Sequence, residues 1–317
     1  MRVASGLLAV MACGILLQSA PARAYDNDLE LYKLGNPTQL KSGDTTINAD
    51  PFAQERFARF VGDFALALAP MPSGLASSLG SAGFSATFTS DLALIHPKER
   101  FSNGQTMDVW PTEKPTSSPL FIPTIHLRKG LPFGFEVGAD VSYIIFSEMV
   151  ATTAMLKWSL VEGFLYVPDL SAKVFATTVI GTKELNLVLG GWDVGLSERV
   201  PLWGSAELGL YGGYQRFGVS AQTNNIDFDP NHVDPNNPMS ADTVFEPLTF
   251  GPILNPSTVF GRTYLGLEIR WELLVVGFDF TYGTGSNLAY TSSAPPATDV
   301  KVFASQTKLA FKLGVTF

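Results

Sequence analysis

Cysteine is all but missing from this chain. Its 317 residues hold one, Cys13, inside an N-terminal apolar leader, so the mature protein can form no disulfide and offers no thiolate as nucleophile or metal ligand. Three histidines leave little scope for imidazole chemistry. Charged residues are sparse at 16%, and 29 acidic against 21 basic side chains give a formal charge of -8, which argues against a nucleic-acid partner. Long apolar runs are lacking beyond residue 24. The most apolar window, Val141 to Val167, is broken by Glu148, Lys157 and Glu162, short of the roughly 18–20 uncharged residues a spanning helix needs. A membrane-crossing chain of this kind can only be a closed barrel, because hydrocarbon tolerates no unpaired backbone group. Phosphate-cradling glycine loops, Cys/His metal spacings and basic aromatic patches are also missing. No catalytic, cofactor-binding or metal-ligating residue is therefore assigned, and no enzyme activity is expected.

What is present divides the chain in three. Residues 1–24 read as a secretory signal peptide, with Arg2, the apolar run Gly6 to Leu17, and the small-x-small site Ala22-Arg23-Ala24 before Tyr25. A lipoprotein signal at Val10-Met11-Ala12-Cys13 is the rival, but the apolar run continues past Cys13. Removal of Arg2 and Arg23 with the leader takes the charge from -8 to about -10. Residues 25–80 form an N-terminal periplasmic or plug segment with a helix near 51–69. Asp50-Pro51 supplies an N-cap and an N1 proline, and Phe57, Phe60, Val61, Phe64, Ala65 and Leu68 fall on one helical face before Pro70 ends it. This amphipathic helix can plug the barrel mouth, lie on the inner leaflet, or pack on the periplasmic turns, and a short helix tethered at the rim is the expected form.

Residues 81–317 change to a period of two. Phe84, Ala86, Phe88 and Leu92 alternate with Ser85, Thr87, Thr89 and Asp91, and Leu265, Leu267, Ile269 and Trp271 alternate with Gly266, Glu268 and Arg270. Each ladder has the length of a tilted membrane strand. The expected fold is an all-β, transmembrane, antiparallel up-and-down barrel of about ten strands, range 8–12. The strands fall near 83–95, 119–129, 133–146, 149–162, 169–181, 184–198, 203–220, 258–271, 274–285 and 300–317. In the sixth, the apolar parity switches from Leu185, Leu187 and Leu189 to Trp192, Val194 and Leu196 across Gly190-Gly191, which predicts a glycine β-bulge. The three long connections (96–118, 221–257 and 286–299) are all odd-numbered, while the even-numbered ones are all short, the asymmetry of external loops and internal turns. A secreted β-sandwich also alternates, but its solvent face is usually rich in Lys and Glu, whereas here that face is mostly Gly, Ser, Thr and isolated charges.

The last ladder, Lys308-Leu309-Ala310-Phe311-Lys312-Leu313-Gly314-Val315-Thr316-Phe317, is apolar at Leu309, Phe311, Leu313, Val315 and Phe317. It resembles the C-terminal β-signal of bacterial outer-membrane β-barrel proteins. That resemblance implies location in the bacterial outer membrane, with outer-membrane lipid and the barrel-assembly machinery as partners. The opposite faces of the ladders place Asp91, His126, Arg128, Glu136, Asp140, Glu268, Arg270, Asp279, Lys308 and Lys312 in the lumen. Depth matching pairs Arg128 with Glu136, Asp279 with Lys312, and Lys308 with Asp91, bridges that would occupy a narrow bore.

His126 lacks a serine two residues along, as a deacylase-like barrel requires, and reads as a structural lumen residue. His96 and His232 have no nearby nucleophile pattern. The loop 224–235, rich in Asp and Asn, offers oxygen ligands to calcium but lacks the spacing of an EF-hand and also suits an ordinary turn, so no cofactor is assigned. The expected function is a non-enzymatic structural barrel or narrow channel for small solutes, with a surface adhesion or binding module acting through long loops as the alternative and an outer-membrane hydrolase as the third.

Overall fold

The computed structural model describes residues 25–35, 52–101, 104–164, 167–224, 226–227, 247–248, 250, 252–253, 259–291 and 299–317. The leader 1–24, the helix start Asp50-Pro51, and most of the loop 224–235 with His232 lie outside the described residues. Ten strands form one closed antiparallel sheet: β1 Phe84–Leu94, β2 Leu120–Gly130, β3 Phe135–Tyr143, β4 Val150–Val161, β5 Asp169–Ile180, β6 Leu185–Pro201, β7 Ala206–Thr223, β8 Val259–Trp271, β9 Leu274–Thr291 and β10 Asp299–Thr316. Each strand pairs with its sequence neighbours, and β1 closes on β10 from Ser85↔Thr316 to Leu94↔Thr307. Closure removes both sheet edges, so every mid-strand backbone group has a partner without water.

The side chains explain the closure. Outward positions carry Phe88, Ile125, Val137, Leu156, Val174, Leu196, Leu210, Leu267, Val276 and Phe311, all solvent-exposed. Inward positions carry Thr87, Asp91, His126, Glu136, Lys157, Asp193, Arg262 and Asp279, all buried. Apolar outside and charged inside inverts the soluble pattern and suits a barrel whose surrounding solvent is hydrocarbon. Phe84, Phe133, Trp158, Trp203, Trp271 and Phe317 gather as exposed aromatics at the short-turn end, and the amphipathic rings among them, the three tryptophans, suit a membrane interface. An arginine at Leu267 would face lipid, so Leu267→Arg is expected to lower stability in bilayers by about 2–4 kcal/mol. Urea unfolding from vesicles measures this, and an unchanged midpoint would show that the wall is not lipid-facing. Glu268, on the same strand, is not the tolerant control that its inward position first implies. It is 1% exposed and holds Arg270 and Lys312, so a cation there meets two others.

Phe317 closes the barrel as well as ending it. Its N–H donates to the Phe84 carbonyl at 2.8 Å, the Phe84 N–H returns the bond at 3.1 Å, and the two rings stack 6.3 Å apart. Deleting Phe317 is expected to stop assembly while export continues. Heat-modifiable barrel accumulating normally in the membrane fraction would refute this.

The sixth strand corrects an expectation. β6 pairs with β5 and β7 in unbroken register through Gly190 and Gly191, so it has no glycine bulge. Leu185, Leu187 and Leu189 all point inward, and Trp192, Val194 and Leu196 all point outward. What switches along the strand is the polarity of the bore. Its upper part, toward the long loops, is apolar because something apolar fills it.

Candidate functional site

The filler is the N-terminal segment. Helix α1, Ala53–Leu68, lies inside the upper bore, and Phe57, Phe60, Val61, Phe64, Leu66 and Leu68 are 3% exposed or less. The rim-tethered helix expected from sequence is therefore not the arrangement seen. An amphipathic helix outside the barrel would leave one face in water, whereas the inward wall here (Ile122, Phe175, Leu185, Leu187, Leu189, Phe217, Val219, Phe260) is buried with it. Phe60 and Phe64 stack 5.2 Å apart, and Trp110 from the first long loop meets both edge-on. On the wall side Gly283 leaves room for Leu66, because a Cβ there would stand 2.5 Å from its Cδ2. Six large apolar side chains at roughly 1.5–3 kcal/mol each amount to a gross stabilisation on the order of 10 kcal/mol.

The helix carries two buried carboxylates; Glu55 pairs with Arg59 at 2.8 Å one turn on, and Asp63 is fully used. Asp63 accepts from Trp110 Nε1 and the His96 N–H at 2.8 Å and from Gln306 Nε2 at 2.7 Å. The His96 ring, in the first long loop, lies 3.5 Å from the same carboxylate, and that hydrogen bond raises its pKa above the ordinary imidazole value. Its ion pair therefore stabilises the plug at acidic pH and is lost as pH rises through the raised pKa.

Below the helix, Pro70 forces the chain into an extended strap, Ala69 to Gly80, that descends the lower bore. Wall side chains bond to it and to the last turn of the helix. Lys308 donates to the Ala67 carbonyl at 3.0 Å and Arg262 to the Ala69 carbonyl at 3.1 Å and the Pro70 carbonyl. Arg128 donates to the Ser73 carbonyl, Lys173 to Ser73 Oγ at 3.1 Å, and Lys157 to the Leu75 and Ser77 carbonyls at 2.7 and 2.9 Å. In return the Ala76 N–H donates to Ser197 Oγ at 2.8 Å and the Leu79 N–H to Glu136 at 2.7 Å. Buried backbone away from water needs such partners, and cations beside the last carbonyls of α1 also suit its negative end.

Of the ten residues read from sequence as lumen-facing, nine are buried, and Arg270 is half-buried beside Glu268. Lys308 lies 2.8 Å from Asp91 across the seam, and Lys312 lies 3.4 Å from Asp279 and 3.5 Å from Glu268. Arg128 and Glu136 do not pair. Register sets Arg128 opposite Gly138 and Glu136 opposite Lys157, so Glu136 pairs with Lys157 at 3.4 Å while Arg128 reaches the strap. These bridges line the wall; the helix and strap fill the bore. Lys157, Lys173, Asp193, Tyr211, Tyr264 and Arg262 were not singled out from sequence, although each occupies an inward position of its strand. Lys173 pairs with Asp193 at 3.3 Å, and Tyr264 donates to Asp193 at 2.9 Å.

His126 has partners that linear spacing could not reveal. Its Nε2 lies 3.0 Å from Thr89 Oγ1 on β1 and its Nδ1 2.8 Å from Asp140 on β3. Hydroxyl, imidazole and carboxylate in line is the order of an acyl-transfer triad. Thr89, however, is 0% exposed and His126 7%, so no carbonyl can approach the hydroxyl, and the three act as a tie between strands. Among the described residues no group of three or more His, Cys, Asp or Glu could hold a metal ion. Residues 25–35 and the connections they bond to form a cap on the long-loop face, and a cleft of about 520 Å³ opens in it between Tyr32, Lys33, Lys98, Trp110 and Thr116. A second cavity, about 570 Å³, lies on the lipid-facing wall around Gly212 between Leu210, Leu265, Leu267 and Phe280.

No protein-family model matches the sequence. No curated protein matches it. Among solved structures the fold is similar to the attachment invasion locus protein Ail of Yersinia pestis in complex with the heparin analogue sucrose octasulfate, at 10% identity and a TM-score of 0.26, covering 75% of this chain and 99% of that one. The KdgM porin gives 6%, 0.25, 73% and 99%. The outer membrane protease OmpT of Escherichia coli gives 9%, 0.25, 74% and 95%. The fold is that of a bacterial outer-membrane β-barrel. That statement stands on the closed ten-stranded sheet with its apolar exterior and charged interior; likenesses this distant carry nothing about activity.

Proposed function

We propose that the protein is an integral outer-membrane barrel without enzyme activity, exported behind a cleaved leader, that acts as a sealed structural anchor for the cap on its long-loop face. The observation that carries this reading is the occupancy of the bore. α1 fills the apolar upper part, the strap fills the charged lower part, and wall side chains bond to both. A solute passage would have to displace on the order of 10 kcal/mol of apolar packing as well as the polar grip on the strap. Planar-bilayer recordings of the refolded full chain test the reading. The expected result is an absence of steady conductance steps, and porin-like steps would replace the anchor with the narrow channel.

A second reading is favoured by the cap cleft beside Trp110 and Lys33, which suits a surface binding module. Whole-cell binding assays before and after removal of residues 224–258 separate it from a purely structural role. The hydrolase reading is weakened by the burial of Thr89, and lipid or peptide hydrolysis by refolded protein would restore it.

A further inference from the structure

We infer that the chain is threaded through its own barrel, so that the protein carries its N-terminal segment across the outer membrane and displays it on the long-loop face. This rests on the outer-membrane reading above and goes beyond it. Three positions along the chain establish the path.

At one end, residues 25–35 are woven into the cap. The Asn27 N–H donates to the Phe146 carbonyl at 2.8 Å and its side chain to the Ile145 carbonyl at 2.7 Å, both in the β3–β4 connection. The Glu30 N–H donates to the Pro111 carbonyl at 2.7 Å, and Leu29 bridges Thr112 in the β1–β2 loop. The Leu31 N–H donates to Glu184 at 2.7 Å, in the β5–β6 connection. Asp28 is a clip, its two carboxylate oxygens accepting from the Tyr25 N–H at 2.7 Å and the Glu148 N–H at 2.8 Å. All these partners belong to the connections opposite Phe317. In the middle, α1 and the strap occupy the bore from top to bottom. At the other end, the Gly83 N–H bonds to the Gly80 carbonyl and the Gly130 N–H to the Gly83 carbonyl at 3.0 Å, beside the Phe84–Phe317 pair.

The ring around this path is closed by the β1–β10 ladder. The segment before β1 therefore passes through the barrel rather than along it. With short turns and Phe317 on the inner side, Tyr25 stands on the outer side, and a polypeptide joined there starts at the cell surface. A segment gripped by main-chain carbonyls is also held with little regard to its side chains, which suits a role as a tether.

The test uses the lack of thiols. Cys13 is the only cysteine, and replacing it by Ala leaves a thiol-free background in which single cysteines are placed at Asp26, Ser117 and Ser81, all exposed. Asp26 is paired with Lys114 only at the surface, so Asp26→Cys costs little stability. Ser117 marks the long-loop face and Ser81 the short-turn face. Cells expressing each full-length variant are treated with a membrane-impermeant maleimide, and folding is checked by heat-modifiable migration. The expected result is that Asp26→Cys and Ser117→Cys react in intact cells and Ser81→Cys only after the outer membrane is permeabilised. If Asp26→Cys needs permeabilisation while Ser117→Cys does not, the threading is wrong. If both need it, the membrane orientation is wrong and the inference falls with it. An epitope placed immediately before Tyr25 and shaved by protease from intact cells reads the same point without substitution in the cap; an epitope surviving on cells whose external loops are cut overturns it.

Discussion

A barrel lacking residues 52–80 conducts ions in planar bilayers, whereas the full chain holds near the electrical baseline. This is the largest change expected of any alteration to the protein, because the segment fills the bore at every height. Its removal leaves an apolar upper wall of Phe175, Phe217, Phe260 and the three β6 leucines, and a lower wall in which Arg128, Lys157, Lys173 and Arg262 have lost the strap. Charged groups stripped of partners draw water into a bore. A gentler variant keeps the chain intact: Phe57→Ala with Phe60→Ala and Phe64→Ala removes three fully buried rings, each worth about 3–5 kcal/mol. The helix then loosens, and the recording changes from silence to flicker. If the deletion variant folds, by heat-modifiable migration, and still fails to conduct, the segment is not what closes the bore.

Asp91→Ala lowers stability by about 3–5 kcal/mol, since it strands a buried ammonium. Lys308 Nζ sits 2.8 Å from Asp91 and 3.0 Å from the Ala67 carbonyl, and the lysine is 4% exposed. Without the carboxylate it keeps one neutral acceptor. The pair lies across the β1–β10 seam, where Asp91 faces Ala310 and Ala93 faces Lys308, so the loss falls on the ladder that closes the ring. Asp91→Ala combined with Lys308→Met should recover most of the loss, because removing both charges of a buried pair is often close to neutral. Urea midpoints of the four proteins, folded in vesicles, form the cycle. A single mutant as stable as wild type, or a double mutant no better than the single, would mean that this bridge does not hold the seam.

The barrel itself was legible in the sequence. Strand parity and loop length are properties of neighbouring residues, so Phe84 to Asp91 or Leu265 to Trp271 announce their faces without reference to the rest of the chain. The three long connections fall on one face for the same reason, and Phe317 ends a ladder that can be read in isolation. Most strand limits fall within a few residues of expectation; β9 runs on from the expected 285 to Thr291, beyond the length that crosses a membrane.

Pairings were harder. Two residues at similar depth are not neighbours until register is known, and register depends on the tilt and stagger of the closed ring. Asp91 with Lys308 could be matched by depth, while Glu136 turned to Lys157 and not Arg128, and Thr89 came beside His126 from a strand 37 residues away.

The contents of the bore were decided by tertiary structure alone. The sequence by itself determined a barrel-forming chain preceded by an amphipathic helix, because both rest on local periodicity. Where the helix goes is a choice among surfaces it could cover. The sign that decides it is spread over several strands: Ile122, Phe175, Leu185, Leu187, Leu189, Phe217, Val219 and Phe260 occupy positions that a water-filled lumen would make polar. In the sixth strand that sign looked like a bulge, since an apolar residue facing inward has no reason until the helix is placed against it. Only the closed ring brings those side chains to one height around α1, and the burial gained there holds the N-terminal segment inside the barrel.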